Sequence, residues 1–211
     1  MSARLSMLLL AAFPLISQSQ SSLPSDIHPV TLSRLPPVSA DDLDDESRRL
    51  LAERPDAEPR PGPTHISQYN PSDRNLGIPS GEDSVVGARN FQLAVLIVAR
   101  EIDQEYEWSS HAPAGLSQGL EQEVIDVVKY DRDVTGLSDA DATFITFGRT
   151  LLRENGVSSE LWERMVGHYG RQGTVQLLQI MGAYLRVGIM LNAVDQQVPP
   201  DRDEMLPPLE R

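Results

Sequence analysis

Glu107 and His111 stand four residues apart in the run Glu105-Tyr106-Glu107-Trp108-Ser109-Ser110-His111. On a helix that spacing puts both side chains on one face. A carboxylate there holds an imidazole in one tautomer and favours its charged form. This is the arrangement a general base or proton shuttle needs. A surface ion pair has the same spacing, because coupled pairs of this kind also serve structure. A metal would use the same two side chains, but His168 is the only other histidine in the apolar half of the chain. It suits the C-terminal end of a helix, and no second motif of the kind found in carboxylate-bridged bundles occurs. The ligand count falls short of a stable site, and we expect neither metal nor cofactor.

The elements that must position this pair are helices. Val85, Val86, Phe91, Val95, Val98 and Ile102 recur at helical spacing after a cap at Asp83 or Ser84. A second helix begins near Asp103, carries the Glu107–His111 pair and ends near Gly115 or Gly119. Glu121–Lys129 forms a short helix with its valines inward. Ser138-Asp139-Ala140-Asp141 is a capping-box-like start for the next, closed by Asn155-Gly156. Ser158 or Ser159 caps another through Tyr169, and the last long helix starts after Gly173. Met165, Met181 and Met190 fall at ordinary core positions. No alternating strand pattern and no glycine-rich phosphate loop competes, so the fold class is all-α.

The rest of the chain is different in kind. Residues 23–82 hold most of the 16 prolines and form an arm with one short helix over Asp41–Glu53. The arm is either a linker or a segment that packs across the domain or a neighbouring subunit. Residues 83–198 make the compact domain, and 199–211 a polar tail. At the front, Arg4, the apolar Leu5–Ile16 and the small or polar Ser17–Ser22 read as a secretory signal spanning residues 1–22. An uncleaved anchor or a buried helix start is the alternative, but the run is short for a bilayer and contains Pro14. The expectation is an exported protein, periplasmic or secreted, without stable membrane insertion once the signal is removed.

The 211 residues carry a formal net charge of −13 with no basic cluster, which argues against nucleic acid as a partner. The chain has no cysteine, which removes disulfides, thiolate metal sites and thiol catalysis together.

Several runs, taken in order, resemble the carboxymuconolactone decarboxylase-like superfamily. They are Gln92-Leu93-Ala94-Val95-Leu96-Ile97-Val98-Ala99-Arg100, then Gln104-Glu105-Tyr106-Glu107-Trp108-Ser109-Ser110-His111 with Gly119-Leu120, then Leu137–Asp141, and finally Gly182–Val187 with Leu191–Ala193. The resemblance covers about residues 85–198 and leaves out the arm. It implies a helical fold that assembles as a homotrimer or homohexamer, with sites near subunit contacts. Its peroxidase branch, the alkyl hydroperoxidase D-like proteins, uses Cys-x-x-Cys ahead of a histidine. Those cysteine positions correspond here to Gln104 and Glu107, and the histidine to His111. Without thiols the dithiol cycle cannot run. Where the family often has Arg-Glu, this chain has Phe91 and Gln92, and an amide cannot exchange a proton at neutral pH.

Two functions follow from these residues. In the first, the chain is an enzyme acting by proton transfer, such as a decarboxylase of a small carboxylated lactone or organic acid. His111 is then the acid/base and Glu107 its orienting partner. Tyr106, Trp108 and Tyr184 are pocket walls, Gln92 is a further substrate contact, and Arg100 or Arg186 holds a carboxylate. In the second, the chain is an oligomeric binding or accessory protein that kept the fold without the chemistry.

Overall fold

The helix at the centre of the molecule is buried along its last three turns. A computed structural model describes residues 23–54, 58–69, 71, 84–202 and 206–209. The proposed signal at residues 1–22 lies outside the described residues. Helix α3 (Gly87–Glu101) is buried at every position from Gln92 to Glu101. A helix apolar on all sides must be enclosed by others, and α3 touches four. These are α4 (Glu105–Ser117), α5 (Gln122–Lys129), α6 (Asp139–Glu154) and α7 (Ser159–Ala193). Leu93, Leu96, Ile97, Trp108, Phe144, Phe147, Leu177 and Ile180 form the centre of the core around it. Before the domain come α1 (Asp45–Ala52) and α2 (Pro63–Ile66), with 3-10 turns at Ala40–Asp42 and Ser67–Tyr69. Among the described residues there is no strand, only one isolated bridge between His28 and Ser33. The protein is all-helical.

Local chemistry explains where the helices begin and end. Ser138 accepts a hydrogen bond from the Asp141 amide at 3.1 Å to start α6, and Asn155 closes it in the left-handed conformation at φ 56°. Ser158 starts α7 by accepting from Leu161 N at 3.2 Å. The two helices expected on either side of Gly173 are present as the two segments of α7, which meet at a kink where Gly170 leaves the helical region at φ 66° and ψ 170°. By length and composition α7 is apolar enough to cross a membrane, with 44% of its most apolar window buried inside the protein. The first helix starts at Gly87, later than the expected cap at Ser84, and has no side-chain cap. Between helices, Arg89 grips Asp141 through two bonds of 2.8 and 3.0 Å, tying α3 to α6.

The described part of the arm packs on its own domain. The short helix expected over Asp41–Glu53 is a 3-10 turn followed by α1, and the proline-rich stretch contains the second helix, α2. Pro63 supplies its first residue, where a missing N–H does no harm. Gly62 N–H donates to Gln196 Oε1 at 3.0 Å, and Gln196 Nε2 donates to the Thr31 and Leu32 carbonyls at 3.0 and 2.9 Å. The buried ring of His65 meets the Pro36 carbonyl at 2.9 Å. One amide at the end of α7 therefore links two parts of the arm. The tail, read as polar, also docks: Leu206 is buried against the core and the Pro207 carbonyl accepts from Arg100 at 2.8 Å.

Gly62 adopts φ 104°, and a Cβ there would lie 2.2 Å from the Tyr106 hydroxyl oxygen. Gly62→Ala is therefore both strained and obstructed, by roughly 1–3 kcal/mol. We expect the strap around it to open more often, so that thermolysin cleaves near Ile66 about tenfold faster. The helical circular dichroism of the domain should remain. Unchanged cleavage would mean that Gly62 does not hold the strap.

Candidate functional site

The Glu107–His111 pair is positioned by the start of α4. Gln104 caps that helix, its side-chain oxygen accepting from Tyr106 N at 2.7 Å and Glu107 N at 3.4 Å. Its Nε2 donates to Asn192 Oδ1 at 2.6 Å, fixing the turn before α4 to the end of α7. The first turn of α4 is thus clamped from two sides. Glu107 and His111 then share one helix face, with side chains 6% and 16% exposed and Nε2 to Oε2 at 3.2 Å.

Gln92 completes the arrangement from α3. Its Nε2 donates to Gln118 Oε1 at 3.1 Å, which turns its own oxygen toward His111. His111 Nδ1–H donates to that oxygen at 2.6 Å. Because an amide oxygen can only accept, Nδ1 carries a proton. Nε2 faces the Glu107 carboxylate across that 3.2 Å gap, while Nδ1 is the ring nitrogen that is hydrogen-bonded. The atom left over is Glu107 Oε1, which is buried and has no hydrogen-bond partner among the described residues. Leaving such a group unpaired costs about 1–3 kcal/mol.

A cavity of about 410 Å³ opens over the pair. Glu107 and His111 are its carboxylate and imidazole, Tyr184 and Val187 of α7 form one wall, and Pro61 and Thr64 of the arm form another. Tyr184 stands edge-on to His111 at 5.1 Å and to Phe91 at 5.7 Å. Burial, and then the charge of Glu107, push the Tyr184 hydroxyl well above the ordinary tyrosine range. Tyr106 donates to the Pro61 carbonyl at 2.9 Å, joining α4 to the arm across the cavity. Burial raises its phenol too, although Arg202 works against the shift. Among the described residues no cluster of three or more His, Asp or Glu side chains forms that could hold a metal.

The sequence-predicted residues separate into two groups. Glu107, His111, Tyr106 and Tyr184 come together at the cavity, while Gln92 lies behind His111 and reaches a ligand only through it. Arg100, Trp108 and Arg186 are not part of the lining. Arg100 is 1% exposed, bonded to Asp103 and to the carbonyls of Lys129 and Pro207, so it anchors the tail rather than a substrate. Trp108, one residue past Glu107, is turned about 100° around the helix into the core. Arg186 lies on the exposed face of α7. The lining residues missed are Arg60 in the arm, Ser110 beside the motif and Arg202 in the tail. No local periodicity marks the two arginines. Comparison with known protein families, with curated proteins and with solved structures finds no match to this chain.

The buried phenols give the site a measurable alkaline signature. Folding keeps Tyr184 protonated, and Tyr169, packed on Phe144, is pushed up to about 12 by burial and by Asp141. An unfolded tyrosine ionises near 10. The stability these groups supply is therefore complete below that pH and is lost as pH rises toward their folded values. Urea titrations at rising alkaline pH should show stability falling, and Tyr184→Phe should shallow the fall. An identical slope in the variant would place Tyr184 in contact with water.

Proposed function

We propose that this protein is a proton-transfer enzyme in which Glu107 presents the working atom and His111 stands behind it. The observation that supports this is the imidazole held by Gln92 beside a buried carboxylate that lines the same cavity. In this reading the roles expected from sequence are exchanged, with the carboxylate as the working group and the histidine positioning it. As imidazolium and carboxylate, the pair lets Oε1 take a proton from a substrate while His111 offsets the charge on Glu107. Returning that proton to the product restores the starting state. Gln92 fixes the tautomer and cannot itself titrate.

The substrate class we propose is a small carboxylated lactone or organic acid, with decarboxylation as the reaction type, in keeping with the resemblance to the carboxymuconolactone decarboxylase-like superfamily. The same resemblance motivates a homotrimer or homohexamer, and the apolar Leu5–Ile16 run motivates export. A thiol peroxidase cycle is excluded by composition, since the chain contains no cysteine. A non-catalytic binding protein is the second reading, favoured by the engagement of His111 Nδ1 in an internal bond to Gln92. A polar cavity with an unpaired buried carboxylate oxygen weighs against it.

Turnover of carboxylated lactones and small acids by the purified protein, in wild type and three variants, tests the assignment. Glu107→Gln keeps the shape and removes the titrating group, so activity should fall about 10²- to 10⁴-fold. His111→Asn should lower kcat and displace the pH profile. Gln92→Leu should displace the profile with a smaller loss. Full activity in Glu107→Gln together with loss in His111→Asn would return the working role to the histidine. Turnover that survives in all three variants would defeat the proposal.

A further inference from the structure

Arg202 is the one cavity residue whose surroundings describe what the cavity holds. Its guanidinium lies over the Tyr106 ring at 4.6 Å, so its face is occupied. Its Nη1 donates to Ser110 Oγ at 2.5 Å, Ser109 Oγ at 3.3 Å and the Tyr106 carbonyl at 3.5 Å, and the guanidinium also bonds the Tyr106 phenol. Among the described residues no carboxylate pairs with this arginine. That is unusual company for a chain of net charge −13, in which Arg34, Arg48, Arg49, Arg89 and Arg153 all hold acidic partners. The Nε–Nη2 edge presents two parallel N–H donors at the spacing of the two oxygens of a carboxylate. Anchoring by Nη1 and by the ring fixes the direction of that edge.

The opposite requirement comes from Glu107. Its carboxylate lines the cavity and accepts, so it calls for a donor or an acidic proton on the ligand. Arg60 lines the same cavity and acts electrostatically on Tyr106, which adds to the positive field at this end. About 410 Å³ is at the small end of ligand cavities.

We infer that the cavity binds a small organic carboxylate that also carries a hydrogen-bond donor, with its carboxylate on the Nε–Nη2 edge of Arg202 and its donor toward the Glu107 carboxylate. The recognition group thus comes from the tail and the chemistry from α4, so the helical domain without residues beyond 198 has the reactive pair but no anchor for its ligand. This deepens the proton-transfer reading by naming the ligand class and the residue that selects it, and it is tested by binding alone.

Calorimetric titration of the full chain with lactate, malate and a hydroxybenzoate, each beside its amide, and with inorganic phosphate, decides the matter. At least one acid should bind about 10- to 100-fold more tightly than its amide, as expected for charge-assisted bonds. Arg202→Gln should remove that preference, with an unchanged thermal midpoint showing that the fold persists. Arg202→Lys, which keeps the charge without the paired donors, should fall between. Glu107→Gln should preserve the Arg202-dependent preference for the acid. Equal affinity for acid and amide would overturn the inference, as would binding of phosphate alone, no binding of any acid at millimolar concentration, or a preference that survives in Arg202→Gln. Selective binding without turnover would leave this inference standing and remove the catalytic one.

Discussion

The 2.6 Å hydrogen bond from His111 to Gln92 joins α4 to the buried helix at the centre of the protein, and it decides the state of everything around it. An amide oxygen accepts and never donates, so the imidazole must spend its Nδ1 proton there. Nε2 is then turned toward Glu107 Oε2 at 3.2 Å, and Glu107 Oε1 is left buried without a partner among the described residues. A buried polar group of this kind is tolerated only where its neighbours are held rigidly. The enclosure of α3, the Gln104 cap on α4 and the bond from Gln104 to Asn192 supply that rigidity.

Around this fixed centre the arm and the tail make the cavity walls. The Tyr106 hydroxyl binds the Pro61 carbonyl, Gly62 passes close above it, and Arg202 lies across the same ring. Tyr106 is therefore a meeting point for three segments that are far apart in the chain. Its burial serves assembly of the site more than packing of the core, since its apolar neighbours Val187 and Leu191 form a small cluster separate from the main one.

Where the sequence was readable, the reason was local. The spacing of Glu107 and His111 predicts a shared face, and the caps at Ser138, Ser158 and Asn155 are set by side chains next to the backbone they bind. The all-helical class follows from apolar periodicity alone. What failed was the assignment of direction and of distant partners. Trp108 adjoins Glu107 in sequence, but the 100° step of α4 turns it into the core, while Arg100 ends α3 and is held by Asp103 and the Lys129 and Pro207 carbonyls. Gln92 was read as a substrate contact because nothing local indicates that α3 lays it behind His111. Arg202 is invisible to periodicity, as its role depends on a tail that folds back across α4. The break between the two predicted helices of α7 falls at Gly170, where glycine takes a positive φ that a continuous helix does not allow.

The protonation of His111 is the most direct measure of this account. Nitrogen-15 NMR of the imidazole in the resting protein distinguishes a ring nitrogen that bears a proton from one that presents a lone pair. We expect Nδ1 to be protonated on both sides of neutral pH, and the Nε2 signal to move when Glu107→Gln removes its acidic partner. A neutral ring with the proton on Nε2 and a lone pair on Nδ1 would contradict the account, because Gln92 would then be donating to His111 and Glu107 would be accepting from it as an ordinary ion-pair partner.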